Sequence, residues 1–348
     1  MVYARSLNRA ARRLSYVCIL TGAVAAPLSA QQDVSATATP YSGWGTSNAP
    51  TAGEVQPEVS LASAIRATSV FTEAGYGSGG VSLRNRGGGN IAVSGVVTPA
   101  RAAYLYWAVI SEGAAPKAAE SLKIQRLSPT EDATVATVTG KSLGTAASPC
   151  WPGNTITVFK GTVPLSVANG NGSYQITLLA GASGSTAGAD PWLSHILPLF
   201  EGASLAIVGK GSGTVAVYDA GLAAHTFFSY PGLTYTLTLP AAAPGKAALF
   251  DNIGADGQHG VSRTADLTLA EKFTLINSVY VGGPASVYLD SDWSGSSGLP
   301  LPQLWDDTGH DISSAVPKGT KTLSVSFFSA DSGGYDCLTT AANIVQIE

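Results

Sequence analysis

The sequence predicts an all-β protein: two tandem β-sandwich, jelly-roll-like domains that follow a signal peptide and a flexible linker. Three observations carry this. Short runs of β-branched and aromatic residues recur between Gly, Pro, Ser and Asn turns, and several alternate apolar residues with Thr or Ser. No sustained 3.6-residue apolar period exists; the nearest helical candidates, around Ala62–Ile65 and Leu193–Leu199, are short and flanked by proline. Finally, a set of short motifs occurs twice in the same order.

The elements follow in chain order. Arg5, Arg9, Arg12 and Arg13 form a basic leader, Val17 to Leu28 is apolar, and Leu28-Ser29-Ala30 offers small residues for cleavage, so residues 1–30 read as a secretory signal. The apolar run is shorter than the roughly 20 residues of a membrane span. Residues 31–60 are rich in Thr, Ser, Ala, Pro and Gly and read as a flexible linker. Strands are expected at 91–97, 104–110, 155–159, 174–178, 205–208, 214–218, 233–239, 287–289 and 323–328. Gly211-Ser212-Gly213 sits between two of these and reads as a hairpin turn.

The repeat sets the domain expectation. Pro99-Ala100-Arg101-Ala102-Ala103 recurs as Pro244-Gly245-Lys246-Ala247-Ala248, 145 residues later. Val163-Pro164 recurs as Val316-Pro317, and Gly172–Leu178 as Gly319–Val325, at offsets of 153 and 147 residues. A boundary near Gly221 gives domain 1 at 61–221 and domain 2 at 222–348, each near the usual domain size.

Charge narrows the partners. The full chain carries 19 bases and 23 acids, a net charge of −4. Removing the four leader arginines leaves 15 bases against the same 23 acids, a net of −8. Such a chain repels nucleic acid and anionic lipid, so neither is an expected partner. Cleavage also leaves two cysteines, Cys150 and Cys337, and an oxidising compartment makes a disulfide between them the default expectation. That bond would clamp the two domains together.

Catalytic signatures are weak. His195, His225, His259 and His310 form none of the spacings of a zinc or copper site. The Gly-x-Ser-x-Gly elbow and the phosphate loop are missing too. Three acidic segments of domain 2 remain. Asp251–Gly260 joins Asp251, Asp256 and His259 around flexible glycines, which suits a hard-cation site or an acid/base pair. Asp290, Asp292 and Ser294 match the opening of a calcium loop, with calcium the implied cofactor, but Leu301 stands where the closing Glu of an EF-hand belongs. Trp305, Asp306, Asp307 and His310 place two carboxylates beside a histidine, and paired carboxylates can split their pKa values. Aspartate and glycine are equally what turns demand, so each segment also reads as a plain polar loop. Trp107 falls inside an apolar strand and reads as core; Trp293 and Trp305 fall in polar loops, where an indole can stack on a sugar or cap a sandwich end.

The strings Ala103-Tyr104-Leu105-Tyr106-Trp107, Glu201–Val208, Leu304-Trp305-Asp306-Asp307 and Asp336-Cys337-Leu338 resemble signatures of uncharacterised secreted bacterial β-sandwich surface proteins. The resemblance implies an extracellular surface or envelope module and supplies no reaction. Two functional expectations follow. The first is a secreted or cell-surface protein with a structural, adhesion or glycan-binding role, its partner an extracellular glycan or cell-surface polymer. The second is an extracellular polymer-degrading hydrolase or lyase with its acidic site in domain 2.

Overall fold

A computed structural model describes residues 59–60, 63–129, 134–147, 153–188, 196–219, 227–228, 232–255, 272–281, 304–329 and 338–348. All of these lie in one compact unit within residues 42–348. The strands are β1 (Val59–Ser60), β2 (Ile65–Arg66), β3 (Ser69–Ser82), β4 (Gly88–Val93), β5 (Val97–Ser111), β6 (Ser121–Arg126), β7 (Val135–Thr139), β8 (Lys141–Ala147), β9 (Thr155–Thr162) and β10 (Gly172–Leu178). After them come β11 (Leu199–Tyr218), β12 (Phe227–Phe228), β13 (Gly232–Thr238), β14 (Ala248–Ala255), β15 (Lys272–Ile276), β16 (Val279–Tyr280), β17 (Trp305–Asp311), β18 (Thr322–Ser329) and β19 (Leu338–Ile347). The described residues hold no α-helix, only single 3₁₀ turns at Lys117–Glu120 and Ser313–Ala315. The all-β expectation is met.

Three sheets form. A four-stranded sheet runs β4-β10-β6-β7, and a six-stranded one runs β1-β13-β18-β15-β16 with β2 also on β13. The nine-stranded sheet runs β17-β14-β19-β11-β5-β9-β8, with β3 and β12 attached to β11 and β19. Strand β11 is its pivot. The first part of β11 pairs with β5 from Leu199 to Lys210, the second with β19 from Thr214 to Tyr218, and β3 follows it along nearly its whole length.

Side-chain alternation on these strands builds three cores. On β5, Leu105, Trp107 and Val109 point into a core shared with Ile91, Ile124, Tyr174 and Ile176 of the four-stranded sheet. The intervening Tyr106, Ala108 and Ile110 point the other way, against Ile253 of β14, Trp305 of β17 and Ile344 of β19. A third core joins Tyr218, Phe250 and Val345 to Leu233, Tyr235, Val325 and Phe327 of the six-stranded sheet. The large sheet therefore folds back on itself, and its two halves bury a common seam. Because β5 is covered on both faces, its sequence is a continuous apolar run instead of an alternating one. Trp107 is buried, as its place in that run predicts; its indole donates to the Ala119 carbonyl at 2.9 Å.

One expectation is corrected. Gly211-Ser212-Gly213 is not a hairpin: a single 20-residue strand, β11, runs through it. The register shifts between Lys210 and Thr214 mark a bulge. A Cβ on Gly211 would lie 2.5 Å from the backbone of Ala74, so glycine here serves the close passage of β3 at the bend. The linker expected over 31–60 also ends in structure, since Val59 and Ser60 pair in parallel with Leu233 and Thr234. Residues 31–58 and the strand expected at 287–289 lie outside the described residues.

The motif pairs occupy matching places. The first motif lies on β5 in one copy and leads into β14 in the other, both in the large sheet. Gly172–Leu178 forms β10, and Gly319–Val325 enters β18, both in the outer sheets.

Candidate functional site

Strands β14 and β17 pair with Asp251 opposite Gly309 and Ile253 opposite Asp307. Two-residue alternation thus puts Asp251 and Asp307 on one face as diagonal neighbours, and that face is the seam. Across the seam runs β3, where Ala74, Tyr76 and Ser78 share the facing side. The Ser78 hydroxyl contacts the Oδ2 atom of Asp251 and lies 2.8 Å from the Oδ1 atom of Asp307. Asp307 also takes a hydrogen bond from Ser204 of β11, and the Ser204 oxygen accepts the Trp305 indole N–H at 2.8 Å. Trp305 can lie flat on β11 because residue 202 is glycine; a Cβ there would sit 2.4 Å from the indole ring.

The electrostatics follow from position. Asp251 is only 2% exposed, and burial first, then the neighbouring Asp307 charge, raise its pKa well above the ordinary carboxylate range. Hydrogen bonding with Ser78 and from the Asn252 backbone N–H opposes that shift without cancelling it. Burial likewise lifts Asp307 to about 6. Tyr76 is pushed upward by burial and by both carboxylates. The Oδ1 atom of Asp251 and the Oδ2 atom of Asp307 are buried and have no hydrogen-bond partner among the described residues. Asp307 is partly exposed, and no atom lies within 4 Å of the Cβ position of Gly309 beside it. Chemically, this is an acid pair able to hold a proton near neutral pH.

The remaining expected site residues fall elsewhere. Alternation turns Asp306 and His310 to the opposite face of β17 from Asp307, Asp306 fully buried and His310 partly so. Trp305 is fully buried and offers no face to a sugar. Asp256, His259, Asp290, Asp292, Trp293, Ser294, Cys150 and Cys337 lie outside the described residues. Among the described residues, no group of three or more His, Cys, Asp or Glu side chains is arranged to hold a metal.

Three polar clusters escaped the sequence reading. Arg84 and Glu201 form an ion pair with both side chains wholly buried. Lys160 reaches Asp219 at 2.7 Å while lying over the rings of Tyr104 and Tyr106, and the Tyr106 hydroxyl donates to the same Asp219 oxygen at 2.9 Å. Tyr235 donates to Asn343 at 2.5 Å, and Asn343 to Asn252 at 3.1 Å. Only the spacing of Tyr104 and Tyr106, two apart on one strand face, could have signalled any of them.

No protein-family model matches the chain, and no curated protein does. Solved structures give weak likenesses. A recombinant N-glycanase F (PNGase F) is 9% identical with a TM-score of 0.25, covering 79% of this chain and 96% of that one. The infectious bursal disease virus VP2 subviral particle is 10% identical at 0.23, covering 84% and 75%. The ANX1 ectodomain from Arabidopsis thaliana is 8% identical at 0.23, covering 80% and 82%. Likenesses at this level assign no activity to the chain. No helix among the described residues is long and apolar enough to cross a membrane.

Proposed function

We propose that the chain is a secreted or cell-surface protein of two tandem, jelly-roll-like β sandwiches with a structural, adhesion or glycan-binding role. One observation carries the non-catalytic part. Among the site residues expected from sequence, Asp251, Trp305 and Asp306 are buried in the interior instead of facing a substrate. The matching places of the repeated motifs, one strand of each copy in the large sheet and one in an outer sheet, support the tandem reading. The test is fractionation of the expressing cells, followed by a glycan array probed with the exported protein. Recovery outside the cytoplasm with glycan retained and no product released agrees with the proposal; cytoplasmic retention of the uncleaved chain contradicts it.

A second reading, an extracellular polymer-degrading hydrolase or lyase, is favoured by the meeting of Asp251 and Asp307 beside the exposed Gly309 on the same face. It expects soluble products from an extracellular polysaccharide and their loss in Asp307→Asn. Product release that this variant leaves unchanged would remove the acid pair from any such reaction.

A further inference from the structure

The Asp251–Ser78–Asp307 contact contains its own proton count. Three oxygens from β14, β3 and β17 make two hydrogen-bond contacts, and two contacts need two hydrogens. Ser78 brings one. Neither carboxylate has an ion-pair partner among the described residues, so no base supplies the other. If both carboxylates were ionised, one contact would set an oxygen lone pair against a lone pair, in a buried seam where repulsion between like charges is poorly screened.

We propose that the Asp251–Ser78–Asp307 bridge is a one-proton latch that holds the two halves of the folded-back sheet together and loosens when that proton leaves. Asp251, the more deeply buried acid, keeps the proton and donates it to the Ser78 oxygen; Ser78 donates its own hydrogen to Asp307. Both bonds cross the seam, from β14 and β17 on one half to β3 on the other. Among the described residues, the latch is isolated from other titrating groups. From β3 it faces Tyr76, which burial keeps neutral, and from β11 it faces Ser204, which does not titrate. On β5 the Tyr106 hydroxyl is spent on Asp219, whose charge Lys160 already meets. Residues 338–347 of β19 contain no titratable side chain, and Asp306 and His310 turn to the other face of β17.

The sign follows from linkage. Both acids bind a proton more tightly folded than unfolded, so the latch stabilises fully below the ordinary aspartate value of about 4. Its contribution falls as pH rises through the raised values, about 6 for Asp307 and well above the ordinary carboxylate range for Asp251. Most proteins gain stability over the acidic part of this range; this seam loses it.

The test is thermal melting of the mature protein from about pH 5 to about pH 8, with hydrogen exchange at both ends read at the amides of β3 and β17. The wild type should melt several degrees lower at the higher pH, with exchange rising in those two strands before the four-stranded sheet. Asp251→Asn donates an N–H to Ser78 at every pH, so it should hold the higher melting point throughout and flatten the profile. Asp307→Asn, which still accepts from Ser78, should weaken the slope in part. A wild-type profile that is flat or rising, or an Asp251→Asn variant that keeps the wild-type slope, overturns the proposal. So does calcium chloride restoring the melting point at high pH in wild type but not in Asp251→Asn, for then a cation and not a proton closes the seam.

Discussion

Two buried acids, in two regions of the large sheet, solve the same problem differently. Glu201 opens β11 beside the N-terminal core, and Asp251 lies in the seam. Burial raises both, but Arg84 pulls Glu201 back through charge and hydrogen bonding. Asp251 has another acid for a neighbour, which pushes it further. The first arrangement keeps a buried charge by pairing it; the second avoids the charge by keeping the proton. Pairing with a cation narrows a region's response to pH, whereas sharing a proton widens it.

The largest expected effect comes from turning the first region into the second. Arg84→Met leaves Glu201 buried without its cation and should cost about 3–5 kcal/mol of stability at neutral pH. Denaturant unfolding at two pH values sharpens the contrast, because the deficit should shrink at acidic pH as Glu201 takes up a proton. An equal deficit at both values would mean that the loss is packing alone. A middle-sized effect belongs to the seam. Gly202→Ala thrusts a methyl group into the Trp305 indole and should cost about 1–3 kcal/mol, accompanied by a change in tryptophan emission. A neutral result would show that the two halves separate more easily than their packing implies. The smallest concerns the uncharged network of the third core. Tyr235→Phe withdraws one hydrogen bond from Asn343 and should cost about 1 kcal/mol, with no pH dependence between about 5 and 8, since neither partner titrates there.

The strands were legible because β-branched runs between glycine and proline turns leave few alternatives. Eight of the nine expected strand segments overlap β4, β5, β9, β10, β11, β13 and β18, with 205–208 and 214–218 both on β11. The error at Gly211–Gly213 has a physical source: glycine permits both a reversal and a close backbone passage, and only the position of β3 decides between them. Of the acidic segments, sequence picked out Asp251 and Asp307 but not the fact that they meet, nor that Asp306, one residue away, faces the other core. Ser78 was invisible. It is separated by 173 and 229 residues from its two partners, and a serine in a glycine-rich run carries no local sign of its role. Arg84 and Glu201, 117 residues apart, were hidden in the same way, since one buried cation and one buried anion read locally as ordinary surface residues.

The bend in β11 also dictates an order of assembly. Its first part can complete a sheet with β5 and β3 from residues earlier in the chain, but its second part waits for β19, more than a hundred residues later. Until β14, β17 and β19 arrive, Tyr106, Ala108, Ile110, Ala206 and Val208 form one bare apolar face. A chain emerging from its amino end would carry that face in water throughout its passage, at the point where partly folded β proteins are most prone to adhere to one another. A fragment ending at Tyr218 is accordingly expected to aggregate, even though every residue of its own outer core is present.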